Sequence, residues 1–500
     1  MMKSVMEYLN NTAELYAEKV AFEDDNRKLT FRELQTEAKA IATVIAKKNI
    51  FKKPIAIFMD KCVECVVAFM GVAYSGNFYT PIDSKMPVAR IEKILETLVP
   101  EILITDKKHF ELAKSFFDTS NILLYEEIRE NVIDKYLLKS IDDKIIDTDI
   151  LYVLFTSGST GIPKGVTISH RSVIDYVDWV VDTFKINIDD VLGNQAPLYF
   201  DLSIQDIYAT IKSGSMTILI DSNYFLFPAK LMNYIKCKNV NTIFWVPTAM
   251  VLVANLKALK IKNKPGLKKI LFCGEVMPNK QLNKWREAYP TAMFVNLYGP
   301  TEITEVCTYY IIERQFEDND VLPLGIPCRN TDILILDEND KLVKNNKIGE
   351  LCVRGTSLSL GYYNNLQKTN EVFVQNPLNT AYPEKIYRTG DLVKYNEYGE
   401  LIYISRKDFQ IKHMGHRIEL GEIEAAVSSL QGIDLNCCLY DEKNNKIILF
   451  YVGSLQEDDI INLLKECLPD YMLPNKKIKL QAMPINLNGK IDRVKLKELL

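Results

Sequence analysis

The stretch TSGSTGIPKG at residues 156–165 combines residue types that can bind phosphate. Its glycines allow a close backbone approach, its hydroxyls can donate hydrogen bonds, and Lys164 can offset negative charge. A Walker A loop requires G-x-x-x-x-G-K-[ST], whereas here Lys164 follows Pro163 and precedes Gly165. The spacing therefore excludes a P-loop NTPase. On composition alone, an ordinary polar loop remains the alternative.

Length and charge bound the class of protein. The chain has 500 residues, of which 47% are hydrophobic and 25% charged, so we expect a globular protein with at least two domains. The net charge is −4 without a basic block, so nucleic acid is not an expected partner. The start of the chain has no apolar signal core, and no stretch approaches membrane-span length. We therefore expect a cytoplasmic protein that does not bind a membrane.

Cysteine and histidine usage leaves few metal or triad candidates. Cys62 and Cys65 form one C-x-x-C, but no second ligand pair lies at zinc spacing, so we expect them to pack as small apolar groups. We expect all ten thiols to be reduced. A histidine-ligated metal or a Ser-His-Asp triad would depend on four residues, namely His109, His170, His413 and His416.

Four apolar runs precede small or polar loops, in a part of the chain where such runs alternate with helical stretches. This alternation is typical of parallel βαβ units. Ligands of open α/β sheets bind beyond the carboxyl ends of strands, so we expect the four loops to share one site. The runs are ILYVLF (150–155) before TSGSTG, NTIFW (241–245) before VPTAM, KKILF (268–272) before CGE, and AMFVNL (292–297) before YGPTE.

Beyond these runs the pattern changes twice. Short strands and turn signals over residues 323–407 predict a β-rich subdomain. Helical spacing over residues 423–430, a hairpin turn at Asn444-Asn445 and a helix in DDIINLLKECL predict a compact α+β segment. The predicted fold class is thus α/β. A large N-terminal domain (residues 1–407) contains parallel α/β subdomains plus the β-rich subdomain, and a small α+β domain spans residues 408–500.

Nine motifs in order resemble those of the adenylate-forming superfamily, which includes amino-acid adenylation domains, acyl-CoA synthetases and luciferases. Each motif is modest alone, but the ordered set covers nearly the whole chain. The motifs are LTFRELQ at 29, YTPID at 79, TSGSTGIPKG at 156, FDLSIQDIY at 200, YGPTE at 298, GELCVRG at 349, YRTGDL at 387, RKDFQIKHMGHRIELGEIE at 406 and NGKIDR at 488. The resemblance implies an enzyme that uses ATP and Mg²⁺ to form an acyl-adenylate and pyrophosphate.

The resemblance also assigns roles in the ATP site. Tyr298 matches the aromatic residue that stacks on adenine, Asp391 and Arg406 match ribose contacts, and Thr301 matches a phosphate contact. Glu302 matches the Mg²⁺ ligand, a hard oxygen for a hard cation. Ser405 stands where the family usually has glycine. The further predicted ATP-binding positions are Thr156, Ser157, Gly158, Ser159, Thr160, Gly161, Lys164, Gly274, Asn296, Leu297, Gly299, Pro300, Tyr403 and Lys490.

Two residues of the C-terminal segment receive mechanistic roles from the same resemblance. Lys490 matches the lysine that enters the site during adenylate formation, where a cation stabilises developing negative charge. With Glu302 and Thr301 it completes the predicted catalytic set. Asp408 matches the hinge about which a mobile small domain rotates.

The predicted substrate pocket indicates an amino acid. Asp201 resembles the aspartate that binds the substrate's α-ammonium group, although a helix N-cap is the alternative interpretation. Fatty-acyl and aryl-acid relatives usually lack it, which disfavours an acyl-CoA synthetase. The other residues predicted to bind the substrate are Leu202, Gln205, Phe244, Leu271, Cys273, Leu297, Glu305, Val306 and Lys490.

The identity of the amino acid stays open between two alternatives. The motifs FCGEVMP and FDLSIQDIY look like those of D-alanine–carrier protein ligases, which act in teichoic-acid modification. Gln205 and Glu305 are polar where that ligase has apolar residues, which favours a polar or cationic amino acid, as in nonribosomal peptide synthesis. The acceptor is expected to be the phosphopantetheine thiol of a separate carrier protein, because the chain ends ten residues after Lys490. A degenerate binding protein on this fold is the non-enzymatic alternative.

Overall fold

The structure is a computed structural model that describes residues 2–158, 162–261, 264–343, 346–485 and 491–500. The chain divides into two compact units. Unit 1 comprises residues 1–84, 99–154 and 166–407, and unit 2 comprises residues 85–98, 155–165 and 408–500. Unit 2 thus includes the segment that carries the glycine-rich loop as well as the C-terminal segment from Asp408.

The strands of the described residues have the following bounds: β1 Val20–Glu23, β2 Lys28–Thr30, β3 Pro54–Phe58, β4 Phe78–Ile82, β5 Ile102–Thr105, β6 Ile122–Leu124, β7 Ile150–Thr156, β8 Lys164–Ser169, β9 Val191–Asn194, β10 Met216–Leu219, β11 Thr242–Trp245, β12 Lys269–Phe272, β13 Met293–Tyr298, β14 Thr308–Ile311, β15 Ile326–Pro327, β16 Thr331–Leu336, β17 Gly349–Gly355, β18 Phe373–Gln375, β19 Lys385–Tyr395, β20 Leu401–Arg406, β21 Gln410–His413, β22 His416–Glu419, β23 Ile433–Asp441, β24 Lys446–Gly453 and β25 Lys476–Lys479.

The helices of the described residues are α1 Met6–Leu15, α2 Phe31–Ala46, α3 Val63–Tyr74, α4 Val88–Leu98, α5 Phe110–Ala113, α6 Tyr125–Ile128, α7 Lys135–Asp142, α8 His170–Phe184, α9 Leu202–Ser213, α10 Pro228–Cys237, α11 Pro247–Asn255, α12 Asn279–Ala288, α13 Leu366–Val372, α14 Leu420–Ser428, α15 Glu457–Leu464 and α16 Arg493–Lys497.

Two sheets of largely parallel strands form the frame of unit 1. One sheet has the strand order β6-β5-β3-β4-β7-β8, and the other has the order β15-β14-β13-β12-β11-β9-β10-β1-β2. The central strands of the second sheet, from β10 to β13, pair in parallel, and antiparallel strands complete both of its edges. Strands such as β3 and β12 are buried along their whole length, as expected where helices cover both faces of a parallel sheet.

The β-rich part of unit 1 is an antiparallel sheet with the order β16-β17-β19-β18, and β20 pairs with β19. Its long strand β19 alternates buried and partly exposed residues, the pattern of a sheet with one covered face. This pairing matters for the site because it places Asp391 of β19 opposite Arg406 of β20.

Unit 2 has an apolar core of its own. Ile423 and Val427 of α14 pack with Leu449 and Tyr451 of β24 and with Ile460 of α15, all of them fully buried. The three-stranded sheet β23-β24-β25 and the hairpin of β21 and β22 form its strands. The predicted helices at residues 423–430 and in DDIINLLKECL are present as α14 and α15.

The sequence predicted the individual strands better than their arrangement. The predicted α/β fold class with parallel sheets is confirmed. The hairpin turn predicted at Asn444-Asn445 lies in the loop between β23 and β24, where Asp441 pairs with Lys446. The expectation that the four loops share one site stays a prediction. β11, β12 and β13 are neighbours in one sheet, whereas β7 belongs to the other.

Two absences concern the residues that the structure describes. No helix in these ranges is long and apolar enough to cross a membrane. Among the same residues, no group of three or more histidine, cysteine, aspartate or glutamate side chains is arranged so that it could hold a metal ion. Cys65 is buried on α3, as expected for a cysteine that packs as a small apolar group, and all ten cysteines are thiols.

Candidate active site

Three adjacent strands of unit 1 supply one wall of the predicted substrate pocket. Phe244 of β11 pairs in register with Leu271 of β12, which in turn pairs with Val295 of β13. Lateral partners point to the same face of a sheet, and so do residues two apart on a strand. Phe244, Leu271 and Leu297 therefore face the same side, and all three are buried. Cys273, just beyond β12, is buried as well.

Helix α9 supplies the acidic end of this pocket. Asp201 immediately precedes the helix, in the position of an N-cap, but its side chain makes no capping hydrogen bond. Instead, Thr301 Oγ1 donates a hydrogen bond of 2.6 Å to Asp201 Oδ2. The alternative interpretation of Asp201 as a helix cap therefore does not describe the structure. Leu202 and Gln205, also predicted for the pocket, are buried on α9.

The loop that follows β13 is held by its backbone geometry. A side chain at Gly299 would place its Cβ 2.4 Å from the backbone oxygen of Glu305, so the tight fold of this loop requires glycine there. Thr304 and Glu305 have φ values of 57° and 77°, a conformation that side chains other than glycine seldom adopt. Backbone strain of this kind is concentrated at functional sites.

The same loop buries the carboxylate predicted to bind Mg²⁺. Glu302 is fully buried, and its Oε1 accepts a hydrogen bond of 2.7 Å from the hydroxyl of Tyr362. Its backbone oxygen accepts from the Ser359 amide at 2.9 Å. Pro300 and Thr301 are buried beside it, and Val306 is buried where the loop ends. Tyr362 lies 60 residues beyond Glu302 and is not among the site residues predicted from the sequence.

Three residues predicted to contact adenosine come together in unit 1. The hydroxyl of Tyr298, at the end of β13, donates a short hydrogen bond to Asp391 Oδ2, and Arg406 Nη1 lies 2.8 Å from Asp391 Oδ1. Burial and the negative charge of Asp391 raise the pKa of Tyr298 well above its usual value, so this hydroxyl remains a donor. The arrangement combines an aromatic ring, a carboxylate and a guanidinium group in one cluster.

The other predicted ATP-site residues of unit 1 have clear structural positions. Gly274 follows β12 with a φ of 101°, which glycine adopts without strain. The side-chain amide of Asn296 donates a hydrogen bond of 2.8 Å to the backbone oxygen of Pro323. Tyr403 is half-buried on β20.

In unit 2, the glycine-rich loop is bonded to the segment that contains the motif RIELGEIE. Ser157 Oγ donates to the backbone oxygen of Arg417 at 2.7 Å and accepts from the Glu419 amide at 3.2 Å. Lys164 Nζ donates to Glu419 Oε1 at 3.2 Å. Thr156 Oγ1 lies 3.5 Å from the backbone oxygen of Lys164. The loop groups predicted to bind phosphate thus contact protein oxygens in this structure.

A second carboxylate completes this network. The amide of Gly158 donates to Glu422 Oε2 at 3.2 Å, and Glu422 Oε1 makes a short contact with Arg90 of α4. Arg90 and Glu422 are both almost fully buried. Three residues of this network, Arg90, Glu419 and Glu422, are not among the site residues predicted from the sequence. The carboxylates spaced three apart in RIELGEIE were the available signal. Ser159, Thr160, Gly161 and Lys490 lie outside the described residues.

Comparisons with known proteins agree with this geometry. The chain matches the AMP-binding enzyme family over residues 9–363. It is 31% identical to a D-alanine--D-alanyl carrier protein ligase of Staphylococcus aureus (strain MRSA252), with 100% of each chain covered. It is 33% identical to bacitracin synthase 1 of Bacillus licheniformis over 94% of this chain, but spans 9% of that synthase.

Among solved structures, the crystal structure of the Vibrio cholerae adenylation domain AlmE in complex with glycyl-adenosine-5'-phosphate is similar, with a TM-score of 0.84. The sequence identity is 21%, and the match covers 100% of this chain and 98% of that one, so it supports the fold alone. The chain belongs to the AMP-binding enzyme family. The predicted membership of the adenylate-forming superfamily and the prediction of an ATP-dependent adenylating ligase are confirmed.

Proposed function

We propose that this enzyme uses ATP to convert an amino acid into aminoacyl-AMP and pyrophosphate, and then transfers the aminoacyl group to the phosphopantetheine thiol of a carrier protein. The hydrogen bond between Thr301 and Asp201 carries this proposal. It joins a carboxylate suited to an α-ammonium group to a hydroxyl suited to a phosphate oxygen. An amino acid held at Asp201 would therefore present its carboxylate near the α-phosphate of ATP.

The adenosine end of ATP would bind at the cluster of Tyr298, Asp391 and Arg406. The ring of Tyr298 offers a flat apolar face for adenine, and the carboxylate of Asp391 can accept hydrogen bonds from the ribose hydroxyls. Arg406 holds Asp391 in place through a contact of 2.8 Å. The hydroxyl of Tyr298 contacts the same carboxylate, which couples the base position to the ribose position.

Glu302 is the residue that would hold Mg²⁺. A buried carboxylate beside Thr301 fits a hard cation, which prefers oxygen ligands and keeps part of its shell for water and phosphate oxygens. When bound, the ion would supply positive charge to the triphosphate. The bond from Tyr362 fixes the orientation of the Glu302 carboxylate.

Lys490 and Asp408 would serve the two half-reactions. We assign to Lys490 the stabilisation of the negative charge that develops between the substrate carboxylate and the α-phosphate. We assign to Asp408 the hinge that separates adenylation from thiolation. The motif matches of NGKIDR and RKDFQIK support both assignments.

A carrier protein as acceptor is supported by the full-length similarity to D-alanine--D-alanyl carrier protein ligases, which extends over 99% or more of this chain in three relatives. The same similarity supports D-alanine as an alternative substrate. An acyl-CoA synthetase is less favoured, because Asp201 would face an acid without an ammonium group.

The test is pyrophosphate exchange across L-, D- and β-amino acids and fatty acids, followed by loading of a phosphopantetheinylated carrier protein. We expect exchange with at least one amino acid and none with fatty acids. Exchange that depends only on fatty acids would instead identify an acyl-CoA synthetase. No exchange with any acid would support the non-enzymatic alternative.

A further inference from the structure

A buried polar cluster in unit 1 has hydrogen-bonding capacity that no described residue uses. Glu305 is 1% exposed and Gln205 is fully buried. Among the described residues, neither carboxylate oxygen of Glu305 makes a hydrogen bond of ordinary geometry, and neither does Gln205 Nε2. The Gln205 side-chain oxygen is occupied, because it accepts a hydrogen bond of 3.0 Å from the Tyr176 hydroxyl.

Unpaired buried groups of this kind are costly. Leaving a buried donor or acceptor without a partner costs about 1–3 kcal/mol, and more for a charged group. Burial and the nearby charges of Asp201 and Asp206 raise the pKa of Glu305 well above its usual value. Tyr176 and the backbone of Gln205 lower it in part, without offsetting burial. A fold that keeps such a carboxyl group in its interior is most simply explained by a ligand that pairs with it.

The local charges favour a particular ligand. The negative charges of two neighbouring carboxyl groups, those of Asp201 and Asp206, act on Glu305. Lys61 acts electrostatically on Asp206, but its ammonium group donates to the backbone oxygens of Asn194, Gln195 and Ile220.

The negative charges of Asp201 and Asp206 make a positive charge beside Glu305 favourable. The α-ammonium group of an amino acid at Asp201 would pair with that acid and not with Glu305. A second positive charge on the substrate would provide the counter-ion for Glu305.

We infer that the substrate is an amino acid whose side chain ends in a cation, an ammonium or guanidinium group, and that Glu305 is the residue that selects it. This inference rests on the proposed function, because it takes Asp201 as the site of the α-ammonium group. The side-chain cation donates hydrogen bonds to the Glu305 carboxylate, which binds it in the ionised form. Buried apolar residues of the neighbouring strands, Phe244 and Leu271 among them, surround the aliphatic part of the side chain.

D-alanine does not satisfy this cluster. Its methyl group has no donor for Glu305, and it would leave the carboxyl group buried and unpaired. Sites built to hydrogen-bond a substrate group discriminate strongly against analogues that lack it, because the polar groups of the site are then left without partners. Selection by Glu305 should therefore be steep.

The experiment compares ornithine and lysine, in both configurations, with norvaline, norleucine and D-alanine in pyrophosphate exchange. The wild type is expected to use a dibasic acid with a kcat/KM at least ~100-fold above that of its uncharged analogue. Glu305→Gln, which keeps the shape but removes the charge, is expected to lower that ratio by ~100-fold. Glu305→Val is expected to reverse it in favour of norvaline or D-alanine.

A second measurement separates substrate selection from folding. Glu305→Val removes an unpaired buried carboxyl group and is expected to raise the melting temperature of the ligand-free protein. A wild-type preference for an uncharged amino acid would overturn the inference and leave the proposed function intact. A dibasic preference that survives both substitutions would overturn the role of Glu305. Absence of exchange with every amino acid would instead refute the proposed function.

Discussion

Thr301 Oγ1 lies 2.6 Å from Asp201 Oδ2, although 100 residues of sequence separate them. The loop after β13 and the start of α9 are thereby joined at the proposed meeting point of the amino acid and the phosphate. Asp201 also lacks the capping hydrogen bond that its position before α9 would permit. Its carboxylate is thus held by Thr301 and not by a capping bond to the helix.

Removal of the Asp201 charge should lower kcat/KM for every amino-acid substrate by a similar factor. Asp201→Ala is expected to lower kcat/KM by the equivalent of about 2–5 kcal/mol, the loss typical of a buried charged partner. Asp201→Asn keeps an acceptor for the Thr301 hydroxyl and so separates charge from loop position. Pyrophosphate exchange across one amino-acid panel measures both variants. If the Asn variant retains full activity, the α-ammonium group does not depend on this charge.

Substitutions of Tyr298 should separate stacking from hydrogen bonding. Tyr298→Phe keeps the aromatic face and loses the bond to Asp391, which remains paired with Arg406, so a small rise in the KM for ATP is expected. Tyr298→Leu removes the ring and should cost about 1–3 kcal/mol in ATP affinity, the range for stacking of a base on an aromatic residue. Equal effects of the two variants would argue against adenine at this position. Titration of ATP in the exchange assay is the measurement.

Lys490→Ala should abolish adenylation and spare thiolation. The lysine is proposed to stabilise charge in the first half-reaction alone. The assay supplies preformed aminoacyl-AMP and follows loading of the carrier protein, with pyrophosphate exchange measured in parallel. Lys497→Ala, an exposed lysine of α16, is the matched control and should leave both rates unchanged. A parallel loss of loading and exchange in Lys490→Ala would contradict the assignment.

The ion pair between Arg90 and Glu422 should be important for stability. Both side chains are almost fully buried, so Glu422→Gln leaves an uncompensated buried charge and is expected to cost about 3–5 kcal/mol. The control is Glu424→Gln on the same helix, where the pair with Arg493 is 2.7 Å long and about one-fifth exposed. It should cost about 1 kcal/mol or less. Chemical denaturation of the wild type, Glu422→Gln and Glu424→Gln compares their free energies of unfolding. Similar losses in both variants would show that burial does not decide the effect.

His170 should make the stability of unit 1 sensitive to acid. Burial lowers the pKa of His170 from 6.5 to about 4, and its Nδ1 accepts from the Val5 amide at 3.4 Å. The folded state therefore holds the neutral ring, while the unfolded chain takes up a proton below pH 6.5. The resulting stability is fully present above that pH and is lost as the pH falls towards 4, by roughly 3 kcal/mol.

His170→Asn tests this pH dependence. Asparagine keeps an acceptor near Val5 but does not titrate. The difference in unfolding free energy between wild type and variant should change between pH 7 and pH 4.5. A constant difference would show that His170 does not titrate during unfolding in this range.

The sequence determined the local elements and the chemistry available to the site. The apolar runs at residues 241–245, 268–272 and 292–297 predicted β11, β12 and β13 to within one residue at each end. Strand formation depends on short-range patterns of apolar residues, which a sequence displays directly. The ordered motifs likewise identified the family, because each motif carries its residue types at fixed spacing.

The tertiary structure alone decided which of these elements meet. The assignment of β7 to a different sheet from β11 follows from long-range pairing, which local patterns do not encode. The contact between Tyr298 and Asp391 spans 93 residues, and that between Lys164 and Glu419 spans 255. The clearest case is Glu305, for which the sequence shows the residue type but not its surroundings. Only the packed interior shows that its carboxyl group is buried and makes no hydrogen bond of ordinary geometry with the described residues, because burial and pairing are properties of the surroundings.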